Sequence, residues 1–247
     1  MGLFHWAELD RRSLAQILPD AVLIIPLGST EQHGDHLPTG TDHLLASAVV
    51  QAAAVQAAAT TSADIVIAPT MTYGASDHHL PFGGTLSLQP QTLLAMLTDV
   101  LASAASAHAE RVVLVNGHGG NSGICHAAAA AASASHGLTV AHVDYWKLLP
   151  DHDRTIDAPT PGHAGAFETS MVLATHPKLV RDRPDRAETP RAKTPHGFEV
   201  HSAKAWTDMD GFSDHPERAT VEAGERLIHT LASGLAAALV EFAEEPR

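Results

Sequence analysis

The alternation of short apolar runs with longer alanine-rich segments constrains this chain more than any other feature. "AVLIIPLG" (21–28), "DIVIAPTM" (64–71), "RVVLVNG" (111–117) and "LTVAHVDYW" (138–146) read as strands. Residues 42–59, 90–108 and 121–136, which lie between them, have the length and Ala/Leu content of helices. Strand–helix repetition at this spacing predicts an α/β fold whose mostly parallel sheet carries helices on both faces. Residues 176–217 hold prolines and charges without a sustained period, so they read as a long excursion rather than a second domain. A final helix is expected at about 217–243, and the whole of 1–247 is expected to form one domain. No internal repeat is visible, and the alanine-rich runs fit tight helix packing better than low-complexity disorder.

Composition narrows the function classes. A chain of 247 residues that is 45% hydrophobic can bury a sizeable core. With 28 acidic against 15 basic residues, the net charge of −13 disfavours a nucleic-acid partner, because phosphate affinity rests on Lys and Arg. The single cysteine, Cys125, forms no internal disulfide and is compatible with a reducing compartment; beside "AAAA" it reads as a small helix residue rather than a nucleophile. The stretch "MGLFHWAELDRR" has neither a basic n-region nor a long apolar h-region, and no apolar run reaches about 18 residues. The expectation is a soluble cytoplasmic protein with no membrane partner.

In parallel sheets the functional loops lie at the carboxyl ends of the strands. "PLGSTEQHGDHLPTGTDH" follows the first strand and "NGHGGNSG" the third, which places both on one sheet edge. In the first loop Glu31 and His33 share a side if locally extended, and Asp42 opens the following helix. Two carboxylates and an imidazole make a plausible half of a dinuclear metal site, since one carboxylate can bridge two cations. In the second loop His118 is flanked by glycines that permit close backbone approach. A glycine-rich turn can instead cradle phosphate, but Ser122 stands where GxGxxG needs glycine and no GKS or GKT is present. A third segment, "TPGHAGAFETSMVLATHP", sets His163 and Glu168 around a helix start, where helix capping is the competing account of Glu168.

"PLGSTEQHGDHLPTGTD", "YGASDHH" with "FGGTLSL", "VNGHGGN" and "HAGAFETS" resemble, in order, the successive signatures of the creatininase family over roughly residues 20–175. The resemblance implies a three-layer α/β/α sandwich, two divalent metal ions (Zn, Mn or Fe), hydrolysis of an unusual amide C–N bond, and a homo-oligomer, with the hexamer as family precedent. Carried over residue by residue, it implies that Glu31, Asp42 and His118 hold one metal, while His33 and a bridging Asp42 hold part of the second. It implies His163 as a substrate-facing acid/base, with Ser76, His79 and Gly119 at the substrate pocket. The chain departs from creatininase at Gly119 and Gly120, which replace a tyrosine and a metal-binding glutamate, and at Pro159, which replaces a tryptophan. His78-His79, Phe82-Gly83-Gly84 and Asp214-His215-Pro216 also differ from the usual Glu-His, Phe-Pro-Gly and Gly-Asp-Pro. These departures place the chain nearer an NGHGGN branch that includes formamide deformylases and a peptidase of cofactor maturation, and they predict that creatinine is a poor substrate. Gly120 has no side chain, Asn121 offers only a neutral amide and Asp144 follows another strand, so Glu168 is the expected replacement ligand of the second metal.

Charge supports metals independently of the resemblance. Three carboxylates in one pocket repel, and two divalent cations with a bridging hydroxide cancel them. Such a pair would generate hydroxide near neutral pH and polarise a carbonyl, and a nearby acid, His163, would protonate the departing nitrogen. The main expectation is therefore a dinuclear amidohydrolase acting on a small amide, cyclic amide, formamide or short peptide. One alternative is a mononuclear non-haem iron redox enzyme using His33, His118 and Asp42. A non-catalytic metal-binding protein is disfavoured, because structural sites are usually closed by Cys and His ligands.

Overall fold

The computed structural model of the protein describes residues 2–150, 153, 155–156, 158, 160–185, 196 and 200–244. Five strands, β1 (Leu3–His5), β2 (Val22–Leu27), β3 (Ile65–Ile67), β4 (Arg111–Asn116) and β5 (Thr139–Asp144), form one all-parallel sheet in the order β1-β3-β2-β4-β5. The helices are α1 (Arg11–Ile17), α2 (Thr41–Ala58), α3 (Pro90–Ser106), α4 (Ser122–His136), α5 (Ala166–Thr175), α6 (Ala203–Met209) and α7 (Val221–Glu244). The central strands β2 and β4 are apolar on both faces because helices cover both. Val22, Ile24, Val113 and Val115 pack with α2, α5 and α7, whereas Leu23, Ile25, Val112 and Leu114 pack with α3 and α4. Each such buried aliphatic side chain contributes about 1.5–3 kcal/mol of transfer free energy. This is the expected α/β fold with three layers, and its sheet is wholly parallel.

Small residues set how closely the helices approach. Ala46, Ala53 and Ala54 of α2 are buried in the same cluster as Ala232 and Ala236 of α7. A Cβ at Gly224 of α7 would overlap the Ser170 carbonyl of α5, so that pair of helices meets backbone to backbone. By length and composition α7 is apolar enough to cross a membrane. Here its recurring stripe of Leu227, Leu231, Leu235 and Leu239 is buried in the cluster with α2 and α5.

The sequence and the structure differ at short elements. The run at 64–71 pairs only over Ile65–Ile67, and beyond it Met71 makes an isolated bridge to Leu27. Pro69 interrupts the run and has no N–H to give a ladder. Strand β1 and helix α1 are too short for a readable period, and the excursion at 176–217 contains α6. Pro159 lies outside the described residues.

The sheet order has one consequence for function. From β2 the chain moves to β3 on one side and then to β4 on the other, so the topological switch lies between β2 and β4. Their ends are level, Leu27 opposite Asn116, and crevices at such switch points are where ligands bind in open parallel sheets.

Candidate metal centre

Two glycines bring the first turn of α2 against the ends of β2 and β4. A Cβ at Gly28 would overlap the Asp42–His43 backbone, and a Cβ at Gly117 would overlap the Asp42 carbonyl. Asp42 is thereby fixed between the two strand ends, in a helix first turn whose dipole favours a carboxylate. The "NGHGGN" run has a structural logic. Asn116 Nδ2 donates to Asp144 Oδ1 (2.7 Å) and to the His118 carbonyl (2.6 Å). Asn121 Nδ2 donates to the Gly28 carbonyl (3.0 Å), while its Oδ1 accepts the Ala75 N–H (3.0 Å). A side chain at Gly120 would collide with the Ala75 carbonyl and the His118 ring, whereas Gly119 faces open space. The loop is cross-linked to three neighbours, and His118 is the residue it presents.

Both histidines have one ring nitrogen engaged by backbone and the other aimed at carboxylates. His118 donates from Nε2 to the Ala75 carbonyl (3.1 Å), and its Nδ1 lies 3.2 Å from Glu31 Oε1 and 3.1 Å from Asp42 Oδ2. His33 donates from Nδ1 to the Glu31 carbonyl (3.1 Å), and its Nε2 lies 3.0 Å from Asp42 Oδ1 and 3.8 Å from Glu168 Oε2. A backbone partner on one nitrogen fixes the tautomer and leaves the opposite lone pair for a cation. The two oxygens of Asp42 thus face two different imidazoles. Glu168, on α5, also accepts the Ala164 N–H (2.5 Å), so the carboxylate ties down the loop before the helix and reaches the cluster at once.

The electrostatics are those of a buried set of carboxylates balanced by protons on imidazoles. Burial alone would lower the proton affinity of His33, but Asp42 overrides it and holds the ring at about 10. His118 also stands well above its ordinary value, burial being outweighed by Glu31 and Asp42. Burial opposes ionisation of Asp42, yet His33 and His118 pull its carboxyl far below the usual range. Glu168 goes the other way, raised to about 8 chiefly by burial.

Around this cluster the structure places the remaining predicted residues and several that sequence reasoning missed. Gly34 N–H donates to Gln32 Oε1 (2.9 Å), so the Gln32 amide nitrogen points at His79 Nδ1 (2.8 Å) and His163 Nε2 (3.0 Å). His163 Nε2 is also 3.0 Å from the Gln32 carbonyl, a contact that needs a proton on Nε2, whereas the amide contact needs it bare. Its Nδ1 lies 3.8 Å from Glu31 Oε1. Burial, with His33 and His79 close by, holds His163 well below an ordinary histidine. His79 stacks on it at 4.2 Å, with its own Nε2 3.4 Å from Glu31 Oε1. Ser76 is fully buried, and its hydroxyl contacts Ser29 and His118 Nε2 (3.2 Å), which puts it behind His118. His36 donates from Nε2 to the Ala164 carbonyl (2.9 Å), gripping the loop between His163 and Glu168 where Ala164 adopts φ +51°. Tyr145 is fully buried with its hydroxyl unpartnered among the described residues, and burial, then Glu168 and Asp42, keep it protonated. His78 and Trp206 flank the rings at the outer side, 4.4 Å apart. Gln32 was adjacent to recognised residues, while Trp206 lies in a segment without any periodic signal.

This donor set fits divalent cations. Among the described residues, Glu31 Oε2, His33 Nε2, Asp42 Oδ2 and His79 Nε2 are buried without a well-formed hydrogen bond, the last three facing only an imidazole or carboxylate partner at 3.0, 3.1 and 3.4 Å. His33, Asp42 and Glu168 bring ligand atoms within 4.8 Å of one another, as do Glu31, His78 and His118, and Glu31, His33 and His163. Carboxylate oxygen and imidazole nitrogen together suit Zn, Mn or Fe.

Comparison with known proteins agrees with the geometry. The family model described as creatinine amidohydrolase matches residues 4–239. The mycofactocin precursor peptide peptidase of Mycolicibacterium smegmatis is 35% identical over 227 residues, covering 91% of this chain and 86% of that protein. The creatinine amidohydrolase of Pseudomonas putida is 31% identical over 263 residues, covering 98% and 96%. A solved zinc–zinc form of a creatininase mutant superposes with a TM-score of 0.81 at 26% identity, covering 98% of each chain.

Proposed function

The chain belongs to the creatininase family, and from that premise we propose that it is a dinuclear metal-dependent amidohydrolase cleaving the C–N bond of a small amide or short peptide. The observation that carries this reading is the divided Asp42 carboxylate, with Oδ1 at His33 Nε2 and Oδ2 at His118 Nδ1. One carboxylate that meets two imidazoles through different oxygens could serve two cations, one held with Glu31 and His118 and the other with His33 and Glu168. A mononuclear iron centre would need both histidines to converge on a single point with Asp42. Two divalent cations in these positions would supply Lewis acidity and an activated water near neutral pH.

The other residues have definable work. His163 sits against the cluster with Nδ1 toward Glu31 and Nε2 toward Gln32, so its proton can reside on either face. A proton on Nδ1 is positioned for a departing nitrogen, which must be protonated because an amide anion leaves poorly. Gln32 holds His79 and His163 in register, and Ser76 and the Ala75 carbonyl orient His118. Gly119 leaves open space where a substrate backbone can approach. The replacement of side chains by Gly119 and Gly120 favours a substrate other than creatinine. A homo-oligomer, following the hexamer precedent, and a cytoplasmic location belong to the same reading.

The test is a screen of creatinine, formamides, cyclic amides and short peptides with protein reconstituted in Zn²⁺, Mn²⁺ or Fe²⁺, alongside elemental analysis. Two metals per chain, chelator-sensitive release of amine or acid, and creatinine turnover below about 10⁴ M⁻¹s⁻¹ are expected. Full turnover by metal-free protein, or one iron with substrate-dependent oxygen uptake, would remove the proposal.

A further inference from the structure

We propose that His78 is a protein ligand of the cation held by Glu31 and His118, so that this cation has four protein ligands and its neighbour three. The inference rests on the dinuclear reading above. The ligand atoms of Glu31, His78 and His118 all lie within 4.8 Å of one another. Donors about 2.0–2.2 Å from one cation lie roughly 3.4 Å apart at tetrahedral angles, so a small rotation of the His78 ring closes the set. That ring is already parallel to His118, with centroids 5.6 Å apart and planes at 9°.

The surroundings favour a ligand over a loose surface histidine. His78 is half-buried, and its ring is shielded by His79 at 4.2 Å and by Trp206 of α6 at 4.4 Å. Each neighbouring ring has one nitrogen engaged, His79 Nδ1 by Gln32 and His118 Nε2 by the Ala75 carbonyl, and the other directed at Glu31, His79 Nε2 at 3.4 Å and His118 Nδ1 at 3.2 Å. Among the described residues no hydrogen bond engages the His78 ring, which leaves both its nitrogens available. With Glu31, His118 and bridging Asp42, His78 makes a filled tetrahedral complement, whereas His33, Asp42 and Glu168 keep one position open for water or substrate. The two sites are therefore unequal, and the Glu31–His118 cation is the more firmly held.

The test uses full-length wild-type protein and the His78→Ala variant, each loaded with Co²⁺. In the wild type two Co²⁺ bind, three hyperfine-shifted imidazoles appear in the NMR spectrum, and a chelator removes one ion well before the other. In His78→Ala the slowly removed ion binds at least about tenfold more weakly and its visible ligand-field bands change. Added imidazole restores both, which a purely structural defect would not allow. Only two shifted imidazoles in the wild type would overturn the assignment without reference to any variant, as would unchanged affinity and bands in folded His78→Ala. A wild type that binds fewer than two Co²⁺ overturns instead the dinuclear reading on which this rests.

Discussion

His163 and Glu168 are five residues apart in sequence and face the same cluster with different chemistry. His163 is buried, with Nε2 against Gln32 and Nδ1 3.8 Å from Glu31 Oε1, and in the proposed reaction it moves a proton. His163→Ala is expected to keep both metals while turnover falls roughly 10²–10⁴-fold, the range for loss of a general acid/base; elemental analysis and kcat together check it. Glu168 lies within 3.8 Å of His33 Nε2 and in one ligand group with Asp42. Glu168→Gln should lower metal content from two toward one per chain and abolish hydrolysis without unfolding, and retention of two tightly bound metals would reassign the residue. Both residues were legible in "HAGAFETS". The Gln32 amide that ties His163 to His79 was not, since only the fold brings residues 32, 79 and 163 together.

At the scale of elements, the site depends on how closely two strand ends press on one helix. Gly28 and Gly117 leave no room for a Cβ against the first turn of α2, and that turn carries Asp42. Gly117→Ala should cost about 1–3 kcal/mol, the usual range for overpacking, and should also weaken metal binding because Asp42 is displaced. Thermal denaturation and metal titration of the same sample check it; a lower Tm with unchanged metal affinity would show that the contact serves packing alone. Strands β2 and β4 were readable because their faces are both apolar, which gives continuous runs. Strand β1 and helix α6 were not, because three and seven residues are too few for a periodic signal. Yet α6 supplies Trp206, which walls the outer side of the histidine cluster.

For the molecule as a whole, the cluster couples stability to pH and to metal. In metal-free protein His33 is raised from 6.5 to about 10, and Glu168 from 4.5 to about 8. A group whose folded value is raised stabilises fully below its unfolded value and loses that contribution as pH rises through the folded one. Both terms therefore fade between about pH 5 and pH 10. Asp42, held low, contributes above 3.8 and loses its contribution only in acid. Cations need deprotonated ligands, so their stabilisation grows over the interval in which the protons leave. The gain in Tm on adding Zn²⁺ or Mn²⁺ should widen from about pH 6 to about pH 9. Differential scanning fluorimetry with and without metal checks it, and a flat or shrinking gain contradicts it. The sequence alone specifies the layered α/β architecture, because apolar periodicity is a local property of the chain. It also points to Glu31, His33, Asp42 and His118 as metal-capable side chains in the loops after β2 and β4. Which oxygen of Asp42 faces which imidazole, and the place of Ser76 behind His118, come from tertiary packing. It alone brought His78, Gln32 and Trp206 to the same place. Those relations span tens of residues, and they are set by backbone contacts between elements that carry no pattern in the sequence.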